Sequence, residues 1–128
     1  MSQQLICPCG SGMSFAQCCE PFIKGIHNAP TAEKLMRSRY SAYVIQAADY
    51  LLETTHSSTR KNHSKSAILE WSRSNQWLKL EVLEATENTV EFKAYFLDNY
   101  LKAQMHYEKS FFKKEKDKWF YVDGEFFE

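Results

Sequence analysis

Cys7, Cys9, Cys18 and Cys19 carry the strongest chemical signal in this sequence, and no other cysteine occurs in its 128 residues. The first two are one residue apart, the last two are adjacent, and Gly10 and Gly12 lie in the gap. Four thiolates are the ligand set of a tetrahedral, borderline-soft metal ion, with Zn–S near ~2.3 Å. A short loop with two glycines can fold back to bring the pairs together. Gly10 and Gly12 would adopt positive backbone dihedrals and could offer N–H donors to the thiolates. The spacing favours a structural Zn2+ ligated by all four cysteines. A disulfide or redox pair stays open as the second reading. The first six residues are too short and polar for a secretory leader. Four thiolates would leave no open position for water, so such a site would be structural and not catalytic.

The run Cys7-Pro8-Cys9-Gly10-Ser11-Gly12, closing at Cys18-Cys19, resembles the SEC-C zinc-binding motif. That motif reads Cys-x-Cys, eight residues, then Cys-Cys or Cys-His. Its middle is usually basic and aromatic, whereas Met13, Phe15 and Gln17 stand here. In the preprotein translocase ATPase the motif docks on a secretion chaperone and the ribosome. The resemblance therefore implies a protein or ribosomal partner.

Beyond the cysteines, the candidate acid–base groups are His56, His106, Glu108, Asp49 and Asp123. His106 and Glu108 share a strand face about 7 Å apart by the strand rise. Such a pair could do general acid–base work. The alternation, with Gln104 and Ser110 in phase, favours the solvated face of a sheet instead. Arg37 and Arg39 flank an apolar helical face. They could hold an anionic ligand at a pocket mouth. The favoured reading pairs them with Glu108 or Asp49, their stems packed on aromatic rings. His27 reads as a surface residue. No Ser-His-Asp spacing, phosphate loop, dinucleotide fingerprint or HExxH occurs.

The elements that must position these groups follow from periodicity. Glu20–Pro30 is a connector with two prolines and a glycine. Thr31 caps a helix expected from Ala32 to about Leu52, with Met36, Tyr40, Tyr43, Val44, Ala47 and Leu51 on its apolar face. Thr54–Arg60 reads as a loop. Ser64–Ser74 reads as a second helix with Ile68, Leu69 and Trp71 buried. From Gln76 the period becomes two, giving four strands with turns at Glu87-Asn88, Asp98-Asn99 and Lys116-Asp117. Leu78, Leu80 and Val82 are expected on one face, and Ala103, Met105 and Tyr107 on another. The fold class is α+β, with helices packed on one face of a curved antiparallel meander. The expected division is a zinc clip over residues 1–24 and an α+β domain over 25–128. The clip has little apolar content, so the two should be separable in stability.

This order of elements resembles the cone-shaped nuclear transport factor 2-like (cystatin-like) fold. Leu35–Tyr43, Ala48–Leu51, Glu108–Phe112 and Trp119–Gly124 resemble the YchJ-like family of bacterial proteins, in which a SEC-C motif precedes such a domain. Many members carry a second SEC-C motif at the C-terminus, and this sequence shows none. Cone folds often enclose a pocket between helix and sheet, with different activities in different families.

The balance of 16 basic and 16 acidic residues argues against nucleic acid as a primary partner. No apolar run approaches the ~20 residues of a membrane span. Clustered thiols without a leader suggest the reducing cytoplasm. Exposed aromatics on the outer sheet face would indicate a homodimer. The preferred function is a zinc-stabilised binding or adaptor module and not an enzyme. The alternative is a small-ligand binder or enzyme using the cone pocket, and a cavity lined by three or more of Arg37, Arg39, His106 and Glu108 would favour it.

Overall fold

A computed structural model describes residues 5–127 of the chain. Short helices lead into a four-stranded antiparallel sheet of order β1-β2-β3-β4. The strands are β1 (Gln76–Ala85), β2 (Thr89–Leu97), β3 (Ala103–Glu115) and β4 (Lys118–Phe127). Lys116 and Asp117 both take positive φ, 51° and 64°, and make the two-residue turn between β3 and β4. The α+β meander is thus as the periodicity implies.

Among the described residues, a 3-10 turn (Phe15–Gln17) and five α-helices precede the sheet: α1 (Glu20–Ile23), α2 (Ala32–Ile45), α3 (Ala48–Glu53), α4 (Ser57–Arg60) and α5 (Lys65–Ser74). The Thr31 hydroxyl accepts from the Lys34 N–H and caps α2, and Ser64 caps α5 in the same way. The single helix expected to Leu52 is two helices. Gln46 takes the left-handed conformation (φ 63°, ψ 38°), and the Ala47 N–H returns to the Ala42 carbonyl at 2.8 Å. The chain then reverses, so α3 packs beside α2. Thr54–Arg60 is no open loop. Thr54, Thr55 and His56 are buried, and the segment is bonded to β4 through His56 N to Tyr121 O (2.7 Å) and Tyr121 N to Thr54 O (2.8 Å).

The sheet face toward the helices carries Leu80, Val90, Ala94, Phe96, Phe112 and Trp119. Leu78 is not among them and is 53% exposed. It sits at a register shift between Trp77 and Lys79, where one extra residue lets both Trp77 and Leu80 face the helices. The largest expectation to be overturned concerns β3. His106, Glu108 and Ser110 pair with Ala94, Phe92 and Val90, so they occupy the inner face. Met105 lies on the other face and is exposed.

Cys7, Cys9 and Cys19 belong to the same buried cluster as Leu35, Met36, Tyr40 and Leu80. The N-terminal loop therefore packs as part of the main core. Phe15 and Phe22 pack against the same cluster, so the cysteines and these two rings form the contact between the expected clip and the domain.

Candidate functional site

Two sites emerge. In the first, the four Cys Sγ atoms lie within 4.8 Å of one another. Cys9 and Cys18 are 3.6 Å apart, and Cys18 and Cys19 3.9 Å. Four Zn–S bonds of ~2.3 Å at tetrahedral angles place sulfurs about 3.8 Å apart, so the donor set and its spacing fit a metal ion. All four cysteines are free thiols, not disulfides. Gly10 and Gly12 take positive φ, 83° and 86°, as the loop reading requires. The Gly10 N–H does not serve as a thiolate donor. The Gly10 N–H goes to the Cys7 carbonyl, and Ser11 Oγ instead lies 3.2 Å from Cys18 Sγ.

The electrostatics of the thiol cluster are lopsided. Hydrogen bonds from Cys19 and Cys7 hold the Cys9 pKa far below the usual thiol range. Hydrogen bonds with Cys7 and Cys9 push Cys19 up, and burial raises Cys18. A bound divalent ion favours the deprotonated form of its thiol ligands. Arg37 ties this site to α2. Its Nη1 donates to the Cys9 carbonyl at 2.8 Å and its Nε to Glu33 at 3.0 Å. Arg37 therefore does not pair with Glu108. His27 is exposed on the connector, as expected.

The second site is a cavity of about 230 Å³ between α2 and the sheet. Tyr40, Tyr43, Trp77 and Phe92 supply aromatic wall, and Ala94 leaves room at the sheet. Trp71, expected inside, is 44% exposed and packs edge-on against Trp77 and Phe96. Arg39, His106 and Glu108 all line this cavity.

Glu108 is 6% exposed. Its Oε1 receives His106 Nε2 at 2.7 Å, and its Oε2 receives Ser110 Oγ at 2.5 Å and the Tyr121 hydroxyl at 3.0 Å. Burial works to raise its pKa and is the largest single effect. The His106 and Ser110 bonds, the His106 charge and the Tyr121 hydroxyl together outweigh it and hold Glu108 below the usual carboxylate range. Glu108 is thus an anion at neutral pH, and His106 Nε2 must be the donor. In a neutral imidazole that leaves Nδ1 as the acceptor. The carboxylate fits because residue 124 is glycine: a Cβ there would overlap Glu108 Oε2. Burial, aided by the Glu108 charge, pushes the Tyr121 phenol well above its ordinary pKa.

Arg39 is only 9% exposed. Its Nη1 donates to the Leu51 carbonyl (2.9 Å) and to Thr54 Oγ1 (2.7 Å), with Thr55 Oγ1 at 3.4 Å. The Leu51 carbonyl lies in the last turn of α3, which the reversal at Gln46 brings within reach. The guanidinium carbon sits 4.6 Å from the Tyr121 ring centre. No carboxylate lies within salt-bridge distance of Arg39 among the described residues. The expected Arg39–Glu108 ion pair is therefore absent, because His106 and two hydroxyls have taken the carboxylate and α3 has taken Nη1. Asp49, the other expected partner, bonds Lys65.

The sequence profile of the YchJ middle NTF2-like domain matches residues 31–124, most of the chain, and the SEC-C motif matches residues 6–21. The chain belongs to the YchJ-like family. Its relatives include a UPF0225 protein of Geobacter sulfurreducens, 41% identical over 93% of this chain and 78% of the relative. A UPF0225 protein of Photorhabdus laumondii is 44% identical over 93% of this chain and 79% of its own length. Among solved structures, a SEC-C motif containing protein from Rhodopseudomonas palustris superposes with a TM-score of 0.87 at 35% identity, covering 95% of this chain and 98% of that one. A second, from Psychrobacter arcticus, gives a TM-score of 0.75 at 30% identity over 91% of this chain and 80% of that one.

Within this YchJ-like chain, the matched domain supplies Arg39, His106, Glu108 and the aromatic wall. The sequence reading placed His106 and Glu108 together but on the wrong face, and gave Ser110, Tyr121 and Gly124 no role. Phe112 was the usable signal: it is in phase with Ser110, Glu108 and His106, and its burial fixes their direction.

Proposed function

We propose that this chain binds a small molecule in the cone cavity, and that a structural zinc at Cys7, Cys9, Cys18 and Cys19 braces the helix that roofs it. The observation that carries the reading is the convergence of Arg39, His106 and Glu108 on one aromatic-walled cavity. Ligand sites are typically concave and mostly apolar, with a few polar groups that fix orientation. Buried, perturbed titratable groups in a cleft point the same way. Zinc is the metal preferred because four thiolates in tetrahedral spacing are its usual structural set. The Arg37–Cys9 carbonyl bond and the 3.5 Å approach of Cys7 Sγ to Ser41 Oγ link that site to α2, which also carries Arg39. A reducing compartment such as the cytoplasm would keep the four thiols available to the ion.

A docking role on a protein or ribosomal partner is the second reading. The exposure of Leu5, Ile6 and Met13 beside the cysteine loop supports it. The test of the first reading is a thermal-shift screen with neutral, anionic and cationic single-ring fragments. Ligands that bind the folded state raise its apparent stability. We expect saturable binders whose effect disappears in Ala94→Leu, which fills the cavity. Absence of any saturable binder to the wild-type protein would contradict the reading.

A further inference from the structure

We propose that the ligand of this cavity is a small planar aromatic carboxylate whose anionic group neutralises Arg39. The inference rests on the reading that the cavity binds a ligand, and it names the ligand's chemical class.

Arg39 is a permanently charged group nine-tenths removed from water. Only Nη1 is engaged among the described residues, and all its acceptors are neutral. A buried guanidinium without a counter-ion is costly, and a supplied anion removes that cost. Glu108 makes no direct pair with Arg39, and its two oxygens are engaged by His106, Ser110 and Tyr121. For the same reason Glu108 leaves little acceptor capacity for an ammonium ligand. A monoanion suits one guanidinium; a dianion such as phosphate would face Glu108 with excess negative charge. Guanidinium and carboxylate also match in planar, two-toothed geometry.

The walls specify the rest of the molecule. Tyr43, Trp77 and Phe92 bound a space of about 230 Å³. An apolar cavity of about 150 Å³ is enough for benzene, so one substituted ring or a small fused pair fits here. Trp77 also lines this cavity, and its buried indole N–H has no acceptor among the described residues.

The test is a matched series titrated into the full-length, metal-replete protein: benzoate, benzamide and benzylamine, with indole as a neutral apolar control. We expect benzoate to bind about tenfold or more tightly than benzamide, the usual worth of a charge-assisted bond, and benzylamine not to bind. Arg39→Gln should abolish the preference for benzoate. If that variant does not fold, the Arg39 Nε–H resonance of the wild-type protein must shift on benzoate saturation, and an unmoved resonance overturns the assignment. Benzamide or benzylamine binding as well as benzoate overturns the carboxylate class while leaving the cavity a ligand site. Retained discrimination in a folded Arg39→Gln also overturns the role of Arg39. If none of the four compounds binds, the cavity reading itself fails.

Discussion

Glu108 is an anion held among a histidine and two hydroxyls, and its stability contribution follows from that set. Glu108→Gln presents an amide N–H₂ to at least one donor and removes the charge that His106, Ser110 and Tyr121 share. We expect a loss of about 1–3 kcal/mol, read as a lower Tm. The sign of the pH dependence follows from the lowered folded-state pKa. The unfolded chain takes up this proton first on acidification. The stabilisation is therefore complete above the ordinary glutamate range and is lost as pH falls through the folded value. The Tm gap between wild type and Glu108→Gln should be widest near neutral pH and should shrink below about pH 4. A gap independent of pH would show that the charge is not what stabilises. Gly124→Ala tests the same carboxylate from β4, since the new Cβ would overlap Glu108. Overpacking of this kind costs about 1–3 kcal/mol. Glu108→Ala should recover part of the loss in the double variant, and strictly additive losses would contradict the overlap. Neither group's role was legible from strand alternation alone. Counting back from the apolar Phe112 gives the correct face for Glu108; counting forward from Ala103 and Met105 gives the wrong one, because Met105 is an exposed apolar residue.

Helix α2 connects the two sites, with Arg37 and Ser41 toward the cysteines and Arg39 toward the cavity. Because Cys7, Cys9 and Cys19 pack in the same core as Leu35 and Met36, metal removal should lower the Tm of the whole domain and not merely loosen the N-terminal loop. Chelator titration followed by near-ultraviolet circular dichroism checks this. An unchanged Tm with signals lost only from the loop would contradict it. The break after α2 was hidden in the sequence because its left-handed residue is Gln46, not glycine or asparagine. Gln46→Gly should relieve about 1 kcal/mol of backbone strain and raise the Tm. A lower Tm would mean that the bond from Arg73 to the Gln46 side chain contributes more than the strain. The buried Thr54–His56 segment was hidden for another reason. Its polar side chains read as loop, yet the two threonine hydroxyls are satisfied by Arg39 and α3, the His56 ring by Ser58 and Glu115, and the backbone pairs with β4. The four cysteines and the four-strand order were legible because each is written in local spacing; the cavity was not, because it depends on which face each strand presents.

At the scale of the molecule, the helices and the inner sheet face close over a space that the protein's own side chains do not fill, with Arg39 and Trp77 on its wall. The outer sheet face is different in kind. There Tyr95 and Tyr107 are each engaged by a lysine and a glutamate of the neighbouring strand. No described helix is long and apolar enough to cross a membrane. If the inner cavity is a ligand site, the indole N–H resonances of the three tryptophans report its filling. Trp119 donates to the Pro30 carbonyl, whereas Trp77 has no acceptor among the described residues. On titration with benzoate, the Trp77 N–H resonance should move saturably while that of Trp119 stays in place. Both resonances stationary at saturating benzoate, or moving together without saturation, would contradict the account.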